Sequence, residues 1–217
     1  MSAATRIIAV RHGETAWNVE GRIQGKLDVD LNPRGRWQAQ RVGRALAEEG
    51  LDAIYTSDLA RALSTAQAIA QHSHSLQAHD LRLHMGLRER GFGVFEGLTF
   101  DQISSEWPEQ ACRWRQRDPE FAPHGGETLV QLRERIASTL ASVASLHMGQ
   151  QIVLVAHGGV MDALYRLATQ QDITTPRTWE LGNAAINRLL WTPDALTLVG
   201  WSDTRHLDDA TIDEIST

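Results

Sequence analysis

Apolar residues follow two different rhythms along this chain. Ile7-Ile8-Ala9-Val10 and Ile152-Val153-Leu154-Val155-Ala156 are continuous apolar runs, as expected of strands covered on both faces. Leu129, Leu132, Ile136, Leu140 and Val143 recur every three or four residues, so Glu127 to Leu146 predicts a long amphipathic helix. Trp37, Val42, Ala45 and Leu46 give a similar stripe to a helix over Pro33 to Glu48. That helix is entered through Asn32 as cap, with Pro33 at its first position, and stopped at Gly50. Ala53 to Thr56 is short and β-prone, and Ser57-Asp58 can cap the alanine-rich helix Leu59 to Ala70. Val160 to Ala168 resumes helical spacing. Leu76 to Leu83, Ala184 to Trp191 and Ala195 to Trp201 predict further strands, the last two paired around Pro193-Asp194. Thr15 to Asn18 fits a helical turn, and Glu20 to Asp30 a loop.

Short helices rich in Trp and charge occupy Thr99 to Arg117, and Pro119, Pro123 and Gly125-Gly126 then interrupt the pattern. Residues 99–126 therefore read as a small helical lid inserted over the sheet edge. Strands alternating with helices predict an α/β fold, a three-layer α/β/α sandwich on a mostly parallel sheet. The 217 residues suit a single domain, 1–217, carrying that lid.

Composition narrows the function classes. A formal charge of -6 lacks the basic footprint of a nucleic-acid binder, though it leaves room for a local anion pocket. Cys112 is the single cysteine, so neither an internal disulfide nor a thiolate zinc cluster can form. No apolar stretch reaches the ~20 residues of a membrane span, and the first residues do not resemble a leader. The expectation is an unprocessed cytoplasmic protein with no membrane or nucleic-acid partner, a homodimer remaining open. His72, His74, His79 and His84 read as surface decoration, so no metal is expected. The tail from Asp208 is acidic and expected to fray.

The candidate chemistry sits where strands end. Arg11-His12 follows the first apolar run, and His157-Gly158 follows the second. Arg61 lies just after Ser57-Asp58-Leu59-Ala60, and Glu89 lies in Leu87-Arg88-Glu89. In open α/β sheets the carboxyl ends of the strands carry the ligand chemistry. Each residue also has an ordinary reading: a surface cation for Arg61, a solvated carboxylate for Glu89, a backbone-bonded core histidine for His157. Together they supply two guanidinium groups for a phosphoryl dianion, one nucleophilic imidazole, one supporting imidazole, and one carboxylic acid for a leaving oxygen.

Arg11-His12-Gly13-Glu14-Thr15-Ala16-Trp17-Asn18, Ser57 to Ala66, Leu87-Arg88-Glu89 with Glu96-Gly97-Leu98-Thr99, Gly125-Gly126-Glu127-Thr128 and Ala156-His157-Gly158-Gly159 together resemble the histidine phosphatase superfamily, also called phosphoglycerate mutase-like. The resemblance implies the sandwich fold with a phosphate pocket at the strand ends. It gives His12 the role of phosphorylated nucleophile and Arg11, Arg61 and His157 that of a phosphoryl clamp. Glu89 becomes the proton donor and then the base for water. Asn18, Gln24, Gly25 and Gly158 fall where relatives contact substrate. The implied activity is phosphomonoester hydrolysis of a small phosphorylated metabolite, without a cofactor. The alternatives are a cofactor-dependent phosphoglycerate mutase and a catalytically inactive phosphate binder. The Gly126-Glu127-Thr128 element and the short chain favour the phosphatase branch.

Two positions depart from the pattern. Gly91 stands where an acidic or amide residue is common, implying a less rigid loop. Asp162 stands where relatives often carry Arg, which speaks against a second, more distant phosphate. Arg113, Arg115 and Arg117 form a basic cluster read here as a solvated helix face.

Overall fold

The computed structural model describes residues 4–76 and 80–208. His79, part of the expected strand from Leu76, and the tail beyond Asp208 lie outside the described residues. Six strands form one sheet in the order β3-β2-β4-β1-β5-β6: β1 (Thr5–Arg11), β2 (Ala53–Thr56), β3 (Leu81–Leu83), β4 (Gln151–Ala156), β5 (Ile186–Thr192) and β6 (Ala195–Asp203). β3, β2, β4 and β1 run parallel, and the β5-β6 hairpin adds antiparallel beside β1.

Helices cover both faces, as the continuous apolar strands require. Ile7 and Ala9 of β1 point to one side, where Leu132, Ile136 and Leu140 of α6 (Leu129–Ala144) and Val160, Met161 and Leu164 of α7 (Gly158–Thr169) bury them. Ile8 and Val10 point to the other, against Val42 of α2 (Pro33–Ala45) and Ala62, Ala66 and Ile69 of α3 (Ala60–His72). The expected three-layer sandwich is present. Alternate side chains of one apolar strand serve two different helical layers.

Local expectations hold where the signal is local. Asn32 caps α2 by accepting from the Gly35 N–H at 2.7 Å, with Pro33 following. Thr15 and Asn18 form a capping box on the short α1 (Ala16–Val19). Three readings need correction. Ala45 is exposed and not part of the buried stripe of α2. Among the described residues of the expected Leu76 to Leu83, strand β3 covers Leu81–Leu83, and β5 begins at Ile186 because Ala184 adopts positive φ and donates its N–H to Arg11 O instead.

The third correction concerns α3. Ser57-Asp58 does not cap it: the N-cap is Leu59, without a side-chain bond, and Asp28 reaches in from the preceding loop to accept from Ala60 N–H at 2.7 Å. Asp58 is unavailable because its carboxylate pairs with Arg88.

The segment 99–126 contains α4 (Phe100–Glu106) and α5 (Pro108–Arg115) around an aromatic cluster of their own. Phe95, Ile103, Ala111 and Phe121 are its buried members, with Trp107 and Trp114 packed on them.

Candidate active site

Strand register brings the two histidines together. Arg11 and Ala156 are partners in the parallel β1-β4 pairing, and His12 N–H donates to Ala156 O at 3.0 Å, so His12 and His157 leave neighbouring strands at the same level. Their ring centroids are 5.2 Å apart, and both residues are buried. His12 Nδ1 lies 2.6 Å from Gly13 O. A carbonyl only accepts, so Nδ1 carries the hydrogen and Nε2 presents its lone pair. Burial, then the charges of Arg11 and Arg61, push the His12 imidazolium well below the usual histidine range. Burial, His12 and the same two arginines do likewise to His157. Both rings are neutral at physiological pH.

The loop carrying His12 is fixed by three side chains, Thr65, Gln38 and Asn183. Gly13 N–H donates to Thr65 Oγ1 at 3.1 Å, and Glu14 N–H to Gln38 Oε1 at 2.8 Å. Asn183 Nδ2 donates to His12 O at 3.0 Å and reaches Asn18 Oδ1 at 3.3 Å. Gly13 must be glycine because a Cβ there would collide with Gly35 O.

Arg61 is fully buried in α3. Its Nη1 donates to Leu27 O and its Nη2 to Gly25 O, each at 2.8 Å. Arg11 donates through Nη1 to Leu181 O. Arg11 Nε, Arg61 Nε and both ring nitrogens of His157 are buried polar atoms that make no hydrogen bond among the described residues. Burial lowers the proton affinity of both guanidinium groups, and Glu89 counteracts it in each.

Glu89 faces the start of α7. Gly159 N–H lies 3.1 Å from both Glu89 carboxylate oxygens, and Arg90 N–H donates to Oε1 at 2.7 Å. A Cβ placed on Gly158 would sit 3.6 Å from Arg11 Nε and 3.8 Å from Glu89 Oε2, so Gly158 lies between the clamp and the carboxylate. His157 is the N-cap of α7 without a side-chain cap bond, and the helix presents its N-terminal N–H groups and dipole to an anion there.

Thus Arg11, His12, Arg61, Glu89, His157 and Gly158 converge. Gly25 belongs to the same assembly through its carbonyl on Arg61, and its φ of +52 together with the Glu96 carboxylate beside it excludes a side chain. Asn18 spends its carbonyl oxygen on Thr15 and Asn183 and so supports the nucleophile loop. Gln24 is buried, with its Oε1 unpartnered among the described residues.

A cavity of about 400 Å³ opens beside Arg11, Gly158 and Gly159, walled by Phe92, Trp114, Leu129, Leu132 and Leu181 and by the charged groups Arg90, Arg117, Asp162 and Arg177. Sequence reasoning missed Arg90, Arg177, Thr65 and Asn183. Only Arg90 had a cue, its position next to Glu89. The basic cluster also needs correction. Arg113 and Arg115 are exposed, but Arg117 adopts φ 56, donates to Ile173 O at 3.0 Å and pairs with Asp162 at 2.9 Å. The Gly91 loop is held firmly: Glu127 N–H donates to Gly91 O at 2.8 Å, Phe92 N–H to Glu96 Oε1 at 2.9 Å, and Arg135 grips the Glu127 carboxylate with both Nε and Nη2 at 2.7 Å. His72 meets Gln40, His74 meets Glu48 and His84 accepts from Gly86 N–H, three separate sets of partners. Among the described residues no helix is long and apolar enough to cross a membrane.

The profile of the histidine phosphatase superfamily (branch 1) matches residues 7–204. Phosphoglycerate mutase-like protein 4 of Arabidopsis thaliana is 39% identical over 207 residues, covering 94% of this chain and 87% of that protein. The metal-independent phosphoserine phosphatase of the same plant is 36% identical over 209 residues, covering 95% and 84%. The structure of a mycobacterial glucosyl-3-phosphoglycerate phosphatase superposes with a TM-score of 0.81 at 31% identity, over 93% of this chain and 100% of that one. With buried imidazoles paired at the ends of β1 and β4 and a profile match across nearly its whole length, this chain belongs to the histidine phosphatase superfamily, branch 1.

Proposed function

We propose that the chain hydrolyses small phosphate monoesters by passing the phosphoryl group first to His12 and then to water. The observation that carries this reading is the orientation of His12. Its Nδ1–H is held by Gly13 O, and Nε2 is left as a neutral nucleophile beside Arg11 Nε, Arg61 Nε and the His157 ring nitrogens, which make no hydrogen bond among the described residues. A phosphoryl dianion gives Arg11, Arg61 and His157 a common partner at the amino end of α7, where the helix dipole favours an anion.

The chemistry then runs in two displacements. Nε2 forms a bond to phosphorus as the ester oxygen departs, and that oxygen takes a proton from Glu89. In the second step Glu89 accepts a proton from water, the water oxygen bonds to phosphorus, the N–P bond breaks and inorganic phosphate leaves. Glu89 is positioned for both proton transfers by Gly159 N–H and Arg90 N–H.

The test is release of phosphate from a generic aryl phosphate. Release is expected to survive a strong chelator and to be abolished by His12→Ala, and full activity in that variant would refute the mechanism. Mutase activity is a second reading, favoured by the plant mutase-like relative. It predicts that 2,3-bisphosphoglycerate makes isomerisation of 3-phosphoglycerate outpace its hydrolysis. The phosphatase reading predicts that hydrolysis dominates.

A further inference from the structure

The cavity beyond the phosphoryl clamp is assembled by one carboxylate. Asp162 Oδ2 pairs with Arg117 at 2.9 Å and with Arg166 at 3.0 Å. Arg117 belongs to the lid. Arg166, buried on α7, fastens the loop that follows the helix: it donates through Nη1 to Asp172 O and through Nη2 to Thr175 O at 2.8 Å, and it lies over Trp179 at 4.7 Å. Trp179 in turn stacks on Tyr165 with ring centroids 4.1 Å apart. The loop is therefore secured on both sides of Arg177, which it presents at the cavity.

The charges of this cavity divide into spent and unspent ones. Asp162 Oδ2 is taken up by Arg117 and Arg166, while its buried Oδ1 makes no hydrogen bond among the described residues. Arg90 is buried, giving Nε to Glu127 O at 2.8 Å and Nη2 to Phe121 O at 3.0 Å, which leaves its Nη1 for the cavity it lines. Burial lowers its pKa to about 10, so it stays charged at neutral pH. Arg177 lines the same cavity and makes no ion pair or hydrogen bond among the described residues. It lies near enough to Arg11 to lower that residue's proton affinity. Arg11 and Arg61 already answer a phosphoryl dianion. Two cations remain next to it, on a wall shared with Phe92, Trp114, leucines and the Arg117–Asp162 ion pair.

We propose that Arg177, with Arg90, is the specificity determinant of this enzyme and reads a carboxylate carried by the substrate close to its phosphate ester. The inference rests on the phosphatase reading above and names its substrate class as phosphorylated small carboxylic acids. A single negative charge fits the Arg177 guanidinium together with the remaining Nη1 of Arg90. Either anion meets the Asp162 carboxylate in the same wall, and the repulsion is about twice as large for a second phosphoryl dianion as for a carboxylate.

Two substrate pairs test this: 3-phosphoglycerate against glycerol 3-phosphate, in which a neutral hydroxymethyl group replaces the carboxylate, and phosphoserine against phosphoethanolamine, in which a hydrogen does. For the wild-type protein kcat/KM should favour the carboxylate member in both pairs. Arg177→Gln should shrink that preference about 10- to 100-fold, the worth of a charge-assisted hydrogen bond, through KM more than kcat. Arg177→Lys should restore part of it. Equal effects of Arg177→Gln on both members of each pair, or a wild-type protein indifferent to the carboxylate, would overturn the proposal while leaving the phosphatase reading intact if p-nitrophenyl phosphate is still turned over. No release from p-nitrophenyl phosphate or from any of the four esters would overturn both.

Discussion

Two neutral imidazoles buried beside two guanidinium groups make the stability of this fold depend on pH in a specific window. His12 and His157 both bind protons far less readily in the folded chain than in the unfolded one, where histidine titrates near ~6.5. Stability falls wherever the folded state holds fewer protons than the unfolded state. The contribution is therefore complete above the unfolded value, and it is lost progressively as the pH drops from there toward the depressed folded value. One unmatched proton amounts to about 1.4 kcal/mol per pH unit, so the pair gives a slope approaching about 2.7 kcal/mol per unit once the unfolded histidines are fully charged. Carboxylates enter later. Asp203, held down to about 2 by Arg205, and Asp58, held down by Arg88, change stability only as unfolded aspartates titrate near ~3.9. Between about pH 5 and 6 the histidines dominate, His206 adding a smaller term of the same sign because burial lowers it too. Urea unfolding at several pH values through this window, for wild type, His157→Gln and the double variant with His12→Gln, reads the slope directly. Each substitution should remove up to about half of the pair's slope, whatever it does to stability at pH 8. A His157→Gln slope equal to that of wild type would refute a neutral buried pair.

Other perturbations act on single contacts. Glu89→Gln should slow alkyl phosphates far more than activated aryl esters, whose leaving oxygens need no proton; equal slowing of both classes would make Glu89 merely structural. Thr65→Val removes the acceptor of Gly13 N–H, and denaturant unfolding should register about 1–3 kcal/mol alongside a lower kcat/KM. An unchanged midpoint would contradict that bond. Asp162→Ala leaves Arg166 buried and unpaired and should cost about 3–5 kcal/mol of unfolding free energy, against near neutrality if the pair were solvated.

The central strands were legible in the sequence because β1 and β4 are buried on both faces, and burial of that kind leaves an uninterrupted apolar run. The cap on α2 was legible because Asn32 and Pro33 act on the residues that follow them. The cap on α3 was not: Asp58 is next door in sequence, yet Arg88 claims it, and Asp28 serves the helix from a distant loop. The same distinction governs the site. Arg11, His12, Arg61 and His157 sit at strand ends or helix starts, where residue type and place point to an anion, whereas Glu89 lies in irregular chain beyond β3, after the 3-10 turn Met85–Leu87. Asn183, Thr65 and Arg177 are placed by contacts between segments far apart in the chain, and nothing around them in sequence announces those contacts. Arg117 was misplaced for a related reason. Helical spacing groups it with Arg113 and Arg115, but the chain leaves the helix before it and turns its side chain to Asp162.

The most direct test of phosphoryl transfer through His12 is to stop turnover of an aryl phosphate within milliseconds using alkali, which preserves N–P bonds, and to map the protein by mass spectrometry. A single phosphoryl group on the peptide containing His12, accumulating and decaying with turnover and absent from His12→Ala, is the expected result. Steady phosphate release with no phosphorylated peptide, or with the label on the peptide containing His157, would contradict it.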